Sequence, residues 1–325
     1  MCIECRTELS KLQECRVADY SFCNIITEIP SLQNLTILRC YHCRNIKQIP
    51  VLQNLKKLWC YDCPSLEYIP YIEGLTDLWC SKCPLLKQIP QMNEVTELFC
   101  DGCYQLEYIP QIYKLKTLIC NICPQLKEIP SFKNLEYLNC SDCLQLKTIP
   151  RIDSMVDLYC SNCPLLEQIS FSRNIKRLNC NYCPRLKQIP QIDSITTLSC
   201  FNCQVLEQIP LLCNLLDINC SNCPKLKKIS NNNILMNLNC SNCPFLKEIP
   251  KGFKLDCFEC KECPFLYIPV IIRKNAISNI QKTNNMIFRL RHLQKRYRLK
   301  VLTRKILNQM SGTISVLNDL IVSYC

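Results

Sequence analysis

Cysteine recurs every twenty residues from Cys40 to Cys260, and again three places later from Cys43 to Cys263, through twelve units without a slip of register. Isoleucine keeps the same period from Ile29 to Ile249. Proline follows it at Pro30, Pro50, Pro70, Pro90, Pro110, Pro130, Pro150, Pro190, Pro210 and Pro250, with Ser170 and Ser230 as the exceptions. So short a unit cannot bury an apolar face alone; each must be stabilised by the neighbours it stacks on, and the chain grows in one dimension. Its 325 residues are therefore read as one solenoid with a tail, not as two globular domains.

Written out, the unit is L-x-x-L-x-C-x-x-C-x-x-L-x-x-I-P-x-I-x-x, which resembles the leucine-rich repeat. The resemblance implies a short parallel strand on a concave face in each unit. In the first full unit Leu35, Leu38, Cys40, Cys43, Ile46 and Ile49 take the inward places. The next leucine follows the second cysteine by three residues, where the family's common pattern has two; cysteine-type repeats include that variant. The short unit with Ile-Pro is similar to the repeats of bacterial effectors, and the C-x-x-C-P wording resembles leucine-rich proteins of giant amoebal viruses.

The expected architecture is a leucine-rich-repeat arc with a parallel concave β-sheet, a mostly extended convex side and a C-terminal α-helical segment. The return stretch, Cys-Pro-x-Leu-x-x-Ile-Pro, is too short for an ordinary helix. Each proline also pushes its preceding isoleucine to an extended conformation, leaving room for at most a single 3₁₀ turn. Residues 1–33 read as a degenerate first repeat that caps the array, residues 34–269 as the solenoid of about 12 repeats, and residues 270–325 as a basic helical tail. One outer column alternates in sign (Lys47, Glu67, Lys87, Glu107, Lys127), so that a shifted stacking register would set like charges together.

Thirty-one cysteines would suit a secreted disulfide scaffold. The opening stretch MCIECRTELSKLQEC, however, has no apolar core of a signal peptide, and no window reaches the length of a membrane span. The expectation is an intracellular, cytoplasmic site (host cytoplasm for a viral source) with reduced thiols. The three residues from one cysteine of a pair to the next are read as nearly extended chain, too long for a disulfide and wrongly shaped for zinc. Second-position thiols such as Cys63 and Cys83 are expected to donate to carbonyls of the bend. No metal, cofactor or small-molecule substrate is expected. His42 and His292 are the only histidines, and no nucleophile, base and orienting group recur together, so the reading is non-catalytic. Bacterial effectors of this kind can carry a ligase domain after the repeats, but the 56 residues from 270 onward are too few.

The net charge of +12 is concentrated in the tail, where from Val270 onward eleven Lys or Arg stand against Asp319, leaving +10 there. A nearly neutral solenoid argues against nucleic-acid binding by its concave face. Within the tail, residues 283–310 read as a basic amphipathic helix carrying Arg289, Arg291, Lys295, Arg296, Arg298, Lys300, Arg304 and Lys305. It is read as a cap with a solvated face, a contact for anionic membrane or nucleic acid, or a calmodulin-like target.

On the concave face the outward strand positions form columns. One runs Arg39, Trp59, Trp79, Phe99, Ile119, Asn139, Tyr159 and holds both tryptophans of the chain. Tyr41 and Tyr61 lie in the next column, and Lys57, Asp77 and Glu97 in the preceding one. These aromatics are expected to be water-exposed, and exposed aromatics with a polar rim mark interaction surfaces. The alternative is that they only stack across strands. The sequence thus reads as a monomeric protein-interaction scaffold with Tyr41, Trp59, Tyr61, Trp79, Phe99, Ile119 and Tyr159 in its site. The rival reading is a structural or tethering protein acting through its basic tail.

Overall fold

The computed structural model describes residues 14–250, 257–264 and 266. The expected tail helix and its basic residues, Arg289 to Lys305, lie outside the described residues.

Among the described residues, thirteen strands of three residues form one parallel sheet, from Val17–Asp19 through Lys57–Trp59 and Asp77–Trp79 to Cys257–Glu259. Each residue pairs with the one twenty places on, as in Leu58↔Leu78 and Trp59↔Trp79. The period of the sequence is thus the register of the sheet. Side chains alternate across a strand, so the middle residue of each goes into the core: Leu38, Leu58 and Leu78 are at most 1% exposed. Pairing continues beyond the strand through Cys40 N–H to the Trp59 carbonyl at 2.8 Å and His42 N–H to the Tyr61 carbonyl at 3.0 Å. Leu35, Leu38, Cys40, Cys43, Ile46, Ile49 and Leu52 fill one layer of the core, all buried.

The C-x-x-C stretch is not extended, and that expectation is corrected. It is a tight turn whose second inner residue adopts the left-handed conformation, with φ between 55° and 61° at twelve non-glycine positions among the described residues and 71° at Gly102. The turn is needed because the chain must leave the sheet within three residues while its amide still pairs with the next layer, as Asp62 N–H does with the Ser81 carbonyl at 2.7 Å. Asp62, Asp142, Asn162, Asn202, Asn222 and Asn242 suit this conformation; Ile122, β-branched, is strained there.

No helix occurs among the described residues, so none there is long and apolar enough to cross a membrane. The return segment consists of single turns, such as Leu66 N–H to the Cys63 carbonyl at 3.1 Å, joined by extended pieces. Among the described residues, this side carries isolated bridges such as Gln48↔Tyr68 and two short parallel pairs, Thr148–Ile149 with Gln168–Ile169 and Gln208–Ile209 with Lys228–Ile229. The position of the pairs follows from the two missing prolines. Ser170 has an amide hydrogen and donates it to the Ile149 carbonyl at 2.9 Å, as Ser230 does to Ile209 at 3.0 Å; proline has none to give. The same two units place Ser172 and Asn232 in the buried apolar column. Both are satisfied: Ser172 Oγ accepts from Ile152 N–H at 3.1 Å, and Asn232 Nδ2 donates to the Leu212 and Leu215 carbonyls at 2.8 and 2.9 Å.

In the outer charge column, Lys127–Glu107, Lys187–Glu167 and Lys227–Glu207 pair at 2.6, 2.8 and 2.8 Å. These exposed pairs add little stability but favour the correct layer spacing.

Candidate interaction face

The aromatic column is assembled by register alone. Strand spacing holds successive layers about 4.8 Å apart, and an indole at each of two neighbouring layers can only stack. Trp59 and Trp79 lie with ring centroids 5.0 Å apart and planes 20° from parallel, and Phe99 meets Trp79 edge-on at 5.2 Å and 78°. The Arg39 guanidinium closes the other end, 4.8 Å above the Trp59 ring and 3.7 Å from Asp19.

Stacking overturns the expectation that both tryptophans are open to water: Trp59 is 7% and Trp79 9% exposed. Their faces are covered by each other, by Arg39 and by Phe99, and their indole N–H groups have no acceptor. Tyr41, Tyr61, Phe99, Ile119 and Tyr159 remain half-buried, each keeping part of its surface open to solvent. Tyr41 and Tyr61 stack at 4.6 Å and 3°. Beside them His42 Nδ1 lies 2.6 Å from an Asp62 carboxylate oxygen. Burial, and after it the charge of Asp19, pushes the Tyr41 hydroxyl above its ordinary value. Burial with Tyr41, Asp19 and Asp62 does the same to Tyr61, so both phenols stay protonated.

The structure brings Tyr41, Trp59, Tyr61, Trp79, Phe99 and Ile119 together and sets Tyr159 apart, beyond Asn139. Tyr159 instead packs on Tyr137 at 5.5 Å, which the sequence reading passed over although it stands in the Lys57 column. Further along, the face is occupied by its own hydrogen bonds: Ser161 Oγ to Asn179 Oδ1 at 2.7 Å, Ser199 Oγ to Asn181 Oδ1 at 2.8 Å, and Asn239 Nδ2 to Glu259 Oε2 at 2.6 Å.

Behind the face, the second thiol of each pair donates to the carbonyl of the first-cysteine position one layer back. The series starts at Cys43 Sγ to the Tyr20 carbonyl at 3.0 Å and Cys63 Sγ to Cys40 at 3.0 Å, continues with Cys83 to Cys60 at 3.2 Å, and ends at Cys263 to Cys240 at 3.0 Å. The acceptor is thus in the preceding layer rather than only in the thiol's own bend. Burial first, then the neighbouring cysteines, pushes the thiols of Cys60, Cys100, Cys140 and Cys160 well above their ordinary range. Within the repeat, pairs such as Cys60 with Cys63 and Cys80 with Cys83 are not joined by disulfides. No three His, Cys, Asp or Glu among them converge where an ion could sit.

No protein-family model matches the chain, and no curated protein matches it. Among solved structures, a leucine rich cell surface protein from Faecalibacterium prausnitzii A2-165 aligns at 21% identity over 65% of this chain and 81% of its own, with a TM-score of 0.33. A leucine-rich repeat protein from Bacteroides ovatus ATCC 8483 aligns at 17% identity over 82% of this chain and 83% of its own, with a TM-score of 0.35. One strand per twenty residues, an unbroken in-register parallel sheet and a core of repeating Leu, Cys and Ile make this chain a leucine-rich-repeat solenoid.

Proposed function

We propose that the chain is a non-catalytic recognition scaffold that engages a protein partner through the aromatic end of its concave face. The observation that carries this reading is the group of half-buried rings, Tyr41, Tyr61 and Phe99, held on a sheet whose register leaves them little freedom. Pre-ordered aromatic groups lose little conformational entropy on binding. The tryptophans act beneath them as supports, not as the anchors that an open column would have supplied. His42, the one histidine among the described residues, is held by Asp62 and packed between the Phe22 and Tyr61 rings, an arrangement that suits structure better than proton transfer. The reading places the chain in a reducing compartment, where buried thiols such as Cys60, Cys100 and Cys140 stay reduced.

The test compares partners cross-linked by the intact chain with those cross-linked by Tyr61→Ser and Phe99→Ser. Convex-side variants Tyr71→Ser and Tyr113→Ser, which alter exposed rings, serve as the reference. Loss with the concave pair and retention with the convex pair is the expected result; equal recovery from all four overturns the reading. A tethering role rests on the tail's +10 charge. It would be favoured if the chain sediments with anionic vesicles and loses that property when residues 270–325 are removed.

A further inference from the structure

We infer that the concave face around Phe99 receives an arginine side chain of the partner protein. The inference rests on the scaffold reading above and adds the chemistry of what is recognised.

Glu97 and Asp101 stand two residues to either side of Phe99, so all three point to the same face. Asp77 pairs in register with Glu97 one layer back. Asn121 lies one layer on from Asp101, its carbonyl accepting from Gly102 N–H at 2.9 Å. The ring is therefore bordered by four side chains that offer acceptor oxygens.

Asp77 and Asp101 are held mainly by hydroxyl groups. Asp77 takes the Thr76 hydroxyl at 2.7 Å and has Lys57 at 3.9 Å, the limit of contact, while Asp101 takes the Ser81 hydroxyl at 2.5 Å. Lys56, Lys82 and Lys116 stand exposed at the margins of the sheet. Asn121 adds an independent sign of an absent donor. It is 7% exposed, and its Oδ1 has no hydrogen-bond partner. At the equivalent place sixty residues on, Asn181 Oδ1 accepts from Ser199 Oγ at 2.8 Å and Phe201 N–H at 2.9 Å. The amide that would serve Asn121 is Ser141 N–H, and Asn139 Oδ1 takes it at 3.2 Å.

The ring itself is suited to a cation. Trp79 is stacked on Trp59 with one face, so Phe99, at 78° to it, meets the opposite face edge-first and keeps its own face off the stack. The chain already contains the arrangement inferred here, a guanidinium over an aromatic ring with a carboxylate beside it, in Arg39, Trp59 and Asp19. Guanidinium is flat, weakly hydrated and carries five donors, so it can lie on a ring while serving several acceptors; ammonium does this less well. Since the chain's overall charge is +12, the attraction acts at contact range and not by long-range steering.

The experiment is to select peptides from a random display library on the intact chain, then measure synthetic copies. Arginine should be enriched, and its replacement by lysine or citrulline should weaken binding. The isosteric double variant Glu97→Gln with Asp101→Asn should weaken binding about tenfold or more, and Asp101→Asn alone by less, while thermal unfolding of both stays near that of the parent. Peptides without basic residues that nevertheless lose binding with Phe99→Ser or Tyr61→Ser would overturn the arginine inference and leave the scaffold reading standing. Peptides indifferent to every concave change, or no selected peptide, would overturn both.

Discussion

Cys63 fills a place where valine would pack as well, yet its Sγ lies 3.0 Å from the Cys40 carbonyl oxygen. That carbonyl is at the end of a strand and belongs to a fully buried residue, and a buried acceptor left without a donor costs roughly 1–3 kcal/mol. The second thiol of each pair therefore acts as a donor between layers and not only as a small apolar group. Cys123, whose Sγ is 3.2 Å from the Cys100 carbonyl, offers the comparison. Cys123→Ser keeps a donor and Cys123→Val keeps the volume. We expect the valine variant to be the less stable by about 1–2 kcal/mol, read from urea denaturation under reducing conditions; the reverse order would mean that the thiol is only packing. Ile122, beside it, holds φ at 59° and is 43% exposed. A β-branched residue in the left-handed region is strained, and little apolar contact is lost on replacing it. Ile122→Asn should raise stability by about 0.5–1 kcal/mol, and no gain in thermal unfolding would show that the turn relaxes around isoleucine.

The repeating layer was legible in the sequence as far as its period reached. Alternation along the strand put Leu58 inside and Trp59 outside, and the twenty-residue spacing placed Trp59 opposite Trp79, because register in a parallel stack is the repeat length itself. Side-chain size against strand spacing was not legible, and it turned the two indoles from open anchors into a closed stack, 7% and 9% exposed. The cysteine-pair turn was hidden for a related reason. Its left-handed position carries Phe22, His42, Lys82, Tyr182 and Glu262 as well as asparagine and aspartate, so the usual residue signature is diluted and only the backbone's need to pair with the next layer reveals it. Proline keeps the far-side pairing to isolated bridges such as Gln48↔Tyr68 and Gln88↔Tyr108, and beside Ser170 and Ser230 it lengthens into two-residue pairs. The stack gives the element its own test. Trp79 has a ring on each side, and Trp79→Ala should cost about 2–4 kcal/mol through lost burial and ring contact. A change within about 0.5 kcal/mol in the denaturation midpoint analysis, the usual range for surface substitutions, would return the column to an open one.

At the scale of the whole array, layers that touch only their neighbours sum small terms into one stability, so a property shared by every layer becomes a property of the molecule. Buried thiols are such a property. Cys60, Cys100, Cys140, Cys160 and Cys220 have their ionisation pushed well above the ordinary range, by burial first and then by adjacent cysteines. In the unfolded chain the same thiols ionise near pH 8.5. Below that pH both states hold the proton and the full stability is present. Above it the unfolded chain releases protons that the folded chain retains, so stability falls by about 1.4 kcal/mol per pH unit for each such thiol. Because the layers repeat, the decline should be steep between about pH 8.5 and 9.5, before tyrosine ionisation contributes. The measurement is the urea midpoint at pH 7.5, 8.5 and 9.5 with a non-thiol reductant present, together with maleimide labelling of the native chain. Among the described cysteines Cys213 is exposed and Cys15, Cys257, Cys260 and Cys263 are half-exposed. These should label in the folded state, and the buried columns only as the array unfolds. A midpoint that stays level to pH 9.5, or rapid native labelling of Cys100 and Cys140, would mean that the layers open to water far more readily than a closed thiol stack permits.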